Sequence, residues 1–66
     1  MNKEEAIQAM KEGKKVTHRY FDDEEWMTMR GGFTIVFEDG CECTIQQFFA
    51  DRKGIAFLSG YSLWEN

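Results

Sequence analysis

The chain has no proline, one histidine, two cysteines and no apolar run long enough to cross a bilayer. Small secreted domains are usually held together by several disulfides. Cys41 and Cys43 cannot supply them, because alternate residues of a strand lie about 6.5–7 Å apart, at the limit of disulfide reach. The N-terminus shows no signal-peptide pattern. We therefore expect reduced thiols and a cytoplasmic protein without a membrane segment.

Positive charge and catalytic groups are also scarce. Eight Lys and Arg against twelve Asp and Glu give a net charge of −4, which argues against a general DNA or RNA binder with a basic face. No motif places a nucleophile beside His18, and the spacing of Cys41 and Cys43 is poor for zinc. The acidic run 22–25 lacks the alternating ligands and the glycine of a calcium loop. We expect no enzymatic activity, no metal and no cofactor.

The length allows one domain, residues 1–66. Its predicted class is α+β: a small antiparallel sheet of four to five strands, an N-terminal helix and a second short helix, in the order α-β-β-β-β-α-β. Capping residues Asn2 and Thr44 and glycines Gly13 and Gly54 bound the two predicted helices. The predicted elements are helix 3–12, strands 14–20, 26–30, 33–38 and 41–43, helix 45–53 and strand 61–65.

The turns predict the register of the strands. A two-residue loop at Gly31-Gly32 would pair Trp26 with Phe37, and Asp39-Gly40 would form a second tight hairpin. Both faces of the sheet would then be apolar, with Trp26, Phe33, Ile35 and Phe37 on one face and Met27, Met29, Val36, Cys41 and Cys43 on the other. Helix 3–12 would cover one face, and helix 45–53 or a second copy of the chain the other. We expect a homo-oligomer, a dimer or higher.

Aromatic residues are abundant for so small a chain, and three arginines accompany them. Trp and Tyr tend to place their polar tips at a solvent boundary, and guanidinium groups pair with phosphates and stack on rings. This combination suits an adenine-type ligand with its base stacked and its phosphates clamped. Each residue also has an ordinary interpretation, as a core ring or an ion-pair partner. The candidate ligand-binding residues are His18, Arg19, Tyr20, Trp26, Arg30, Arg52 and Trp64.

Residues 2–21, NKEEAIQAMKEGKKVTHRYF, resemble the start of a family of very small phage-encoded proteins that includes the Thoeris anti-defence sponges. The matching positions are Glu5, Ala6, Gly13, Lys14, Val16 and Arg19, of which Arg19 is the candidate ligand contact. The resemblance implies a non-enzymatic oligomer with ligand pockets between subunits. It would sequester a nucleotide second messenger, cyclic ADP-ribose-type or related, of a bacterial immune system.

Two further hypotheses belong to other classes of protein. The acidic stretch 22–25 could meet a basic groove, as in a phage inhibitor that acts by direct protein contact in the manner of an anti-CRISPR. A thiol- or metal-dependent enzyme built on Cys41 and Cys43 is the least favoured. Charge reversal in the acidic stretch separates the first from a sponge, because it should abolish protein contact and leave a sponge largely intact.

Overall fold

The structure is a computed structural model and describes residues 1–65. Its elements are α1 (Lys3–Lys11), β1 (Val16–His18), β2 (Met27–Arg30), β3 (Thr34–Phe37), β4 (Glu42–Thr44), α2 (Ile45–Ala50), a 3-10 helix (Ile55–Phe57) and β5 (Tyr61–Leu63). The strands form one antiparallel sheet in the order β4-β3-β2-β1-β5. The predicted α+β class and the predicted order of helices and strands are confirmed, with the short 3-10 helix added before the last strand.

Helix α1 is bounded by local hydrogen bonds that its sequence encodes. The Asn2 side chain accepts from the Glu5 N–H at 2.8 Å, and the Glu5 carboxylate accepts from the Asn2 N–H at 2.9 Å, which forms a capping box. After Lys11, Gly13 adopts a φ of +88°, the left-handed conformation in which glycine is favoured. The helix therefore ends one residue before the predicted boundary and turns the chain directly into β1.

Helix α2 is shorter than predicted. Thr44 caps the helix as predicted and forms a capping box with Gln47, but the helix ends at Ala50 instead of residue 53. The Arg52 N–H already donates to the Phe49 carbonyl in a tight turn. Gly54, predicted as the helix stop, is extended and precedes the 3-10 helix. The prediction of helix 45–53 is thus wrong over its last three residues.

The register of the β2–β3 hairpin differs from the prediction by one residue. Met27 pairs with Phe37 and Met29 with Ile35, so the loop has three residues, Gly31 to Phe33, and both of its glycines have positive φ. The Phe33 ring lies in this loop and is 77% exposed. Side chains alternate between the two faces of a sheet, so this one-residue shift places both apolar pairs, Met27 with Phe37 and Met29 with Ile35, on the same face.

That face carries the core, and both helices pack on it. The core consists of Ala6, Ala9, Met10, Val16, Met27, Met29, Ile35, Phe48 and Tyr61. The expectation that both faces are apolar is therefore wrong, and so is the expectation that the second helix covers the far face. Two apolar faces were one reason to predict a homo-oligomer. With a single apolar face, that prediction is supported by the family resemblance alone and stays a prediction.

The opposite face, which we call the open face, has no helix in residues 1–65 and is mostly polar. It follows the usual alternation of an antiparallel sheet with one solvated side. The register places on it Thr17, Thr28, Arg30, Thr34, Val36, Glu42, Thr44 and Ser62.

Strand β5 brings the end of the described chain beside the start of β1. The Trp64 N–H donates to the Lys15 carbonyl at 2.9 Å. The outer side of β5 is partly closed by Met1, whose amino group donates to the Tyr61 carbonyl at 2.7 Å. No helix within residues 1–65 has the length and apolarity needed to span a bilayer.

Candidate functional site

Two tryptophans from distant parts of the sequence meet at one end of the sheet. Trp26 precedes β2 and Trp64 follows β5, on either side of β1, and their ring centroids are 6.0 Å apart. The Lys15 ammonium lies 4.4 Å from the Trp26 ring centre and 5.6 Å from that of Trp64, within the range of a cation–π interaction. We call Lys15, Trp26 and Trp64 the tryptophan cluster.

Polar contacts fix the position of the cluster. The Trp64 indole N–H donates to the Asp23 carbonyl at 2.8 Å, and the Thr17 hydroxyl donates to the Glu25 carbonyl at 2.9 Å. Both contacts tie the acidic loop to the sheet through its backbone. The carboxylates of Asp22, Asp23 and Glu24 are exposed to solvent, whereas the Glu25 carboxylate accepts from the Asp22 N–H at 2.9 Å. The indole of Trp64 thus satisfies its polar atom internally and keeps its ring near the surface, where it is half-buried.

Two depressions adjoin Trp64, and they differ in charge. One, of about 320 Å³, is lined by Lys14 and Lys15, with Glu65 as its carboxylate. The other, of about 420 Å³, has the cation Arg19 and several carboxylates; its lining includes Asp22, Asp23 and Glu65. An anionic group is therefore attracted to the first depression and repelled from the second.

Lys14 and Lys15 are missing from the ligand-binding residues predicted from the sequence, where arginines were preferred as phosphate partners. Lys14 makes an exposed ion pair with Glu12 at 3.4 Å, which contributes little to stability and leaves the ammonium available. Both lysines come immediately before β1, within residues 2–21, and this position is the signal that could have identified them. What the sequence did not show is that this strand start lies beside Trp64.

His18 is held by the fold. It is 2% exposed, and its Nε2 lies 2.9 Å from the carbonyl oxygens of both Ala56 and Ser59. Because carbonyls only accept, Nε2 carries the proton and donates, while Nδ1 accepts from the Tyr20 N–H at 3.2 Å. The ring also stacks on Phe57 at 4.3 Å. His18 therefore fastens the 3-10 segment to β1, and both of its nitrogens are already in use.

The remaining candidates are spread over the surface. Arg19 reaches the Ser59 hydroxyl at 3.4 Å, and Tyr20 beside it is 67% exposed. Arg30 lies about 13 Å along β2 from Trp26 and pairs with Glu42 at 2.6 Å. The structure thus brings Trp26 and Trp64 together, places Arg19 in a depression next to Trp64, and separates Arg30 from them.

Arg52 lies on the helix-covered side of the sheet, with its guanidinium carbon 4.1 Å from the Phe48 ring centre. It does not join the tryptophan cluster. The structure therefore divides the seven candidate residues among several places, and in the tryptophan cluster it brings two of them, Trp26 and Trp64, against one ammonium group.

Both thiols lie in surroundings that raise their pKa. Hydrogen bonding to the Asp39 carboxylate raises the pKa of the exposed Cys41, and burial raises the pKa of Cys43. Both effects disfavour the reactive thiolate. Within residues 1–65, no group of three or more His, Cys, Asp and Glu side chains is placed to hold a metal ion.

Comparisons of the chain with protein-family models, with curated proteins and with solved structures found no match. The resemblance of residues 2–21 to the sponge family stays a prediction. The features of the structure that bear most on function are the tryptophan cluster and the depressions beside it.

Proposed function

We propose that the protein is a non-enzymatic phage counter-defence protein that binds and sequesters a nucleotide second messenger. The ligand would be a cyclic ADP-ribose-type molecule or a related cyclic nucleotide, captured in the cytoplasm of the bacterial host. The observation that carries the proposal is the pairing of Trp26 and Trp64 at 6.0 Å with the Lys15 ammonium against both rings.

The rings provide the contact for the base. Stacking of a base on an aromatic side chain contributes about 1–3 kcal/mol and tolerates any base, because every base has a π face. In the free protein, Lys15 covers part of the Trp26 ring at 4.4 Å. A stacked base takes the place of this ammonium, and the long, exposed Lys15 side chain turns towards the phosphates of the same ligand.

The lysines provide the contact for the phosphates. Lys14 and Lys15 line the same depression as Trp64, so a base and its phosphate can be bound by adjacent groups. On the other side of Trp64, the carboxylates of the acidic loop would repel an anion large enough to reach them, so they limit the size of the anion that can bind. A compact nucleotide fits this division of charge, whereas an extended nucleic acid would meet the carboxylates and a net charge of −4.

Sequestration requires affinity and no chemical turnover. The use of both His18 nitrogens by the backbone and the raised pKa values of the thiols support a binding role. The family resemblance adds a homo-oligomer to the proposal. A second copy over the shallow depressions beside Trp64 would enclose a ligand more fully, and the solution mass with and without nucleotide tests this part.

Calorimetric titration with cyclic ADP-ribose derivatives and cyclic dinucleotides tests the proposal. We expect saturable binding by the wild type, about tenfold weaker binding by Trp64→Leu through lost stacking, and weaker, less salt-sensitive binding by Lys15→Gln. Arg30→Gln is the matched control, because Arg30 is an exposed cation on the open face, away from the cluster, and should leave affinity unchanged. Absence of heat with every nucleotide would overturn the proposal.

Direct protein contact is the second candidate function. Asp22, Asp23 and Glu24 are exposed, and within residues 1–65 none of them forms an ion pair. Their loop is held by the Trp64 and Thr17 hydrogen bonds, so it presents a prearranged acidic surface. The double change Asp22→Lys, Asp23→Lys discriminates: it abolishes inhibition by a protein-contact inhibitor, whereas a nucleotide sponge keeps its inhibition and its ligand.

A further inference from the structure

A third depression lies on the helix-covered side of the sheet, away from the tryptophan cluster. It has a volume of about 560 Å³ and lies between α2 and the strands β3 and β4. Aromatic rings, one thiol and one guanidinium face it together, so it offers both apolar contact and positive charge. The residues that line it include Phe37, Cys43, Gln47, Phe48, Asp51 and Arg52.

Arg52 is the charged group of this depression, and it is held in place by stacking. Its guanidinium carbon lies 4.1 Å from the centre of the buried Phe48 ring and 5.8 Å from that of Phe57. One hydrogen bond, from Nη1 to the Phe48 carbonyl at 3.1 Å, fixes its orientation. A guanidinium has five N–H donors, so most of its capacity is left for another acceptor.

No carboxylate within residues 1–65 neutralises this guanidinium. The ion pairs of this part of the chain join Lys14 to Glu12 and Arg30 to Glu42, and Asp51, which also lines the depression, is not within 4.0 Å. The charge of Arg52 reaches its neighbours: it opposes the effect of burial on the pKa of Cys43 and of Tyr61. A half-buried cation with spare donors and a positive local field attracts an anion.

The walls indicate what kind of anion fits. Phe48 is 1% exposed and forms the base under the guanidinium, while the half-buried Phe37 ring lies 6.0 Å from it. We propose that this depression binds a small organic anion, a carboxylate or phosphate carried on a flat apolar body. Arg52, held on the buried Phe48 ring, binds the anionic group, and the half-buried Phe37 ring packs against the body. This site is separate from the proposed nucleotide site, and disproof of either proposal would leave the other unaffected.

Cys43 supplies a direct readout, because its thiol lines the same depression. In a Cys41→Ser background it is the one remaining thiol, and its thiolate reacts with iodoacetamide by displacing iodide. We expect saturating benzoate or phenyl phosphate to slow this reaction several-fold, by covering the thiol and neutralising Arg52. The better of the two identifies the anionic group. Benzyl alcohol, which has the ring without the charge, should give no protection, and neither should inorganic phosphate without the ring.

Variants connect the protection to Arg52. Arg52→Gln should abolish protection by benzoate, Arg52→Lys should weaken it, and Arg30→Gln, which removes a cation from the open face, should leave it unchanged. Should Arg52→Gln fail to fold, amide NMR of the wild type decides, since benzoate must shift the signals of Phe37, Cys43, Gln47 and Phe48. Protection that persists in Arg52→Gln, or unshifted signals in the wild type, would overturn the proposal and leave Arg52 as a residue that only packs against Phe48 of α2.

Discussion

The helix-covered face and the open face of the sheet are built from the same strands but carry opposite chemistry. On the covered face, alternate residues of β1, β2 and β3 are buried under two helices. On the open face, the residues between them are threonines, a serine, one valine and an exposed ion pair, with the tryptophan cluster at one end. Most of the stability of the fold therefore comes from the covered face. Substitutions in the tryptophan cluster, on the open face, should lower the free energy of unfolding only slightly.

The largest effect is expected from Phe48→Ala on the covered face. The ring is 1% exposed, contacts Phe37 and Phe49 and supports Arg52. Large-to-small changes at such rings cost about 3–5 kcal/mol, close to the whole stability of a domain this small. Urea denaturation should show a protein that is mostly unfolded in water. A folded variant would show that α2 contributes little to the core.

High pH tests the covered face through a buried hydroxyl. Burial raises the pKa of Tyr61 to about 12, and its hydroxyl donates to the Phe57 carbonyl at 2.8 Å. An acid whose pKa is higher in the folded than in the unfolded state stabilises the folded protein at pH values at which the acid stays protonated. This contribution, about 2–3 kcal/mol at most, is complete below about pH 10 and is lost as the pH rises towards 12. Tyr61→Phe should flatten this part of the stability profile; an unchanged slope would assign the loss to other groups.

His18→Leu probes the junction between β1 and the 3-10 segment. It removes the donor to the carbonyls of Ala56 and Ser59, and a buried acceptor left without a partner costs about 1–3 kcal/mol. Equilibrium unfolding should show this loss. Tyr20→Leu is the comparison, because Tyr20 is 67% exposed and its change should have little effect. Equal losses would mean that the His18 hydrogen bonds do not stabilise the junction.

Arg30→Gln should have the smallest effect. It breaks the ion pair with Glu42, both of whose side chains are substantially exposed, and exposed pairs contribute about 0–1 kcal/mol. The change in the free energy of unfolding should be near the error of the measurement and vanish at high salt. If Arg30→Gln lowered the free energy of unfolding as much as His18→Leu does, the proposed difference in stability between the covered and the open face would be contradicted.

The parts of the fold that were predictable from the sequence are those set by local interactions. Asn2 with Glu5, and Thr44 with Gln47, signal their helix starts within three residues. The register of the β2–β3 hairpin was not predictable, because Gly31 and Gly32 suit loops of two or three residues and both registers leave apolar residues in the strands. Only the pairing of Met29 with Ile35 against the helices decides between them.

The tryptophan cluster could be predicted only in part. The sequence identified Trp26 and Trp64 as rings in excess of what a small core buries. Their contact depends on β5 pairing beside β1, a non-local choice between segments more than forty residues apart. Lys15 contacts both rings because of the same pairing, whereas the fold places the predicted Arg30 and Arg52 away from the cluster.

Tryptophan fluorescence during nucleotide titration tests the central claim most directly, because both tryptophans of the chain belong to the cluster. If a base stacks on them, cyclic ADP-ribose or a related cyclic nucleotide should change the emission in a saturable way, with the same midpoint as the calorimetric titration. Lys15→Gln should shift that midpoint to higher nucleotide concentration. Calorimetric binding with unchanged emission would place the ligand elsewhere on the protein and contradict the account.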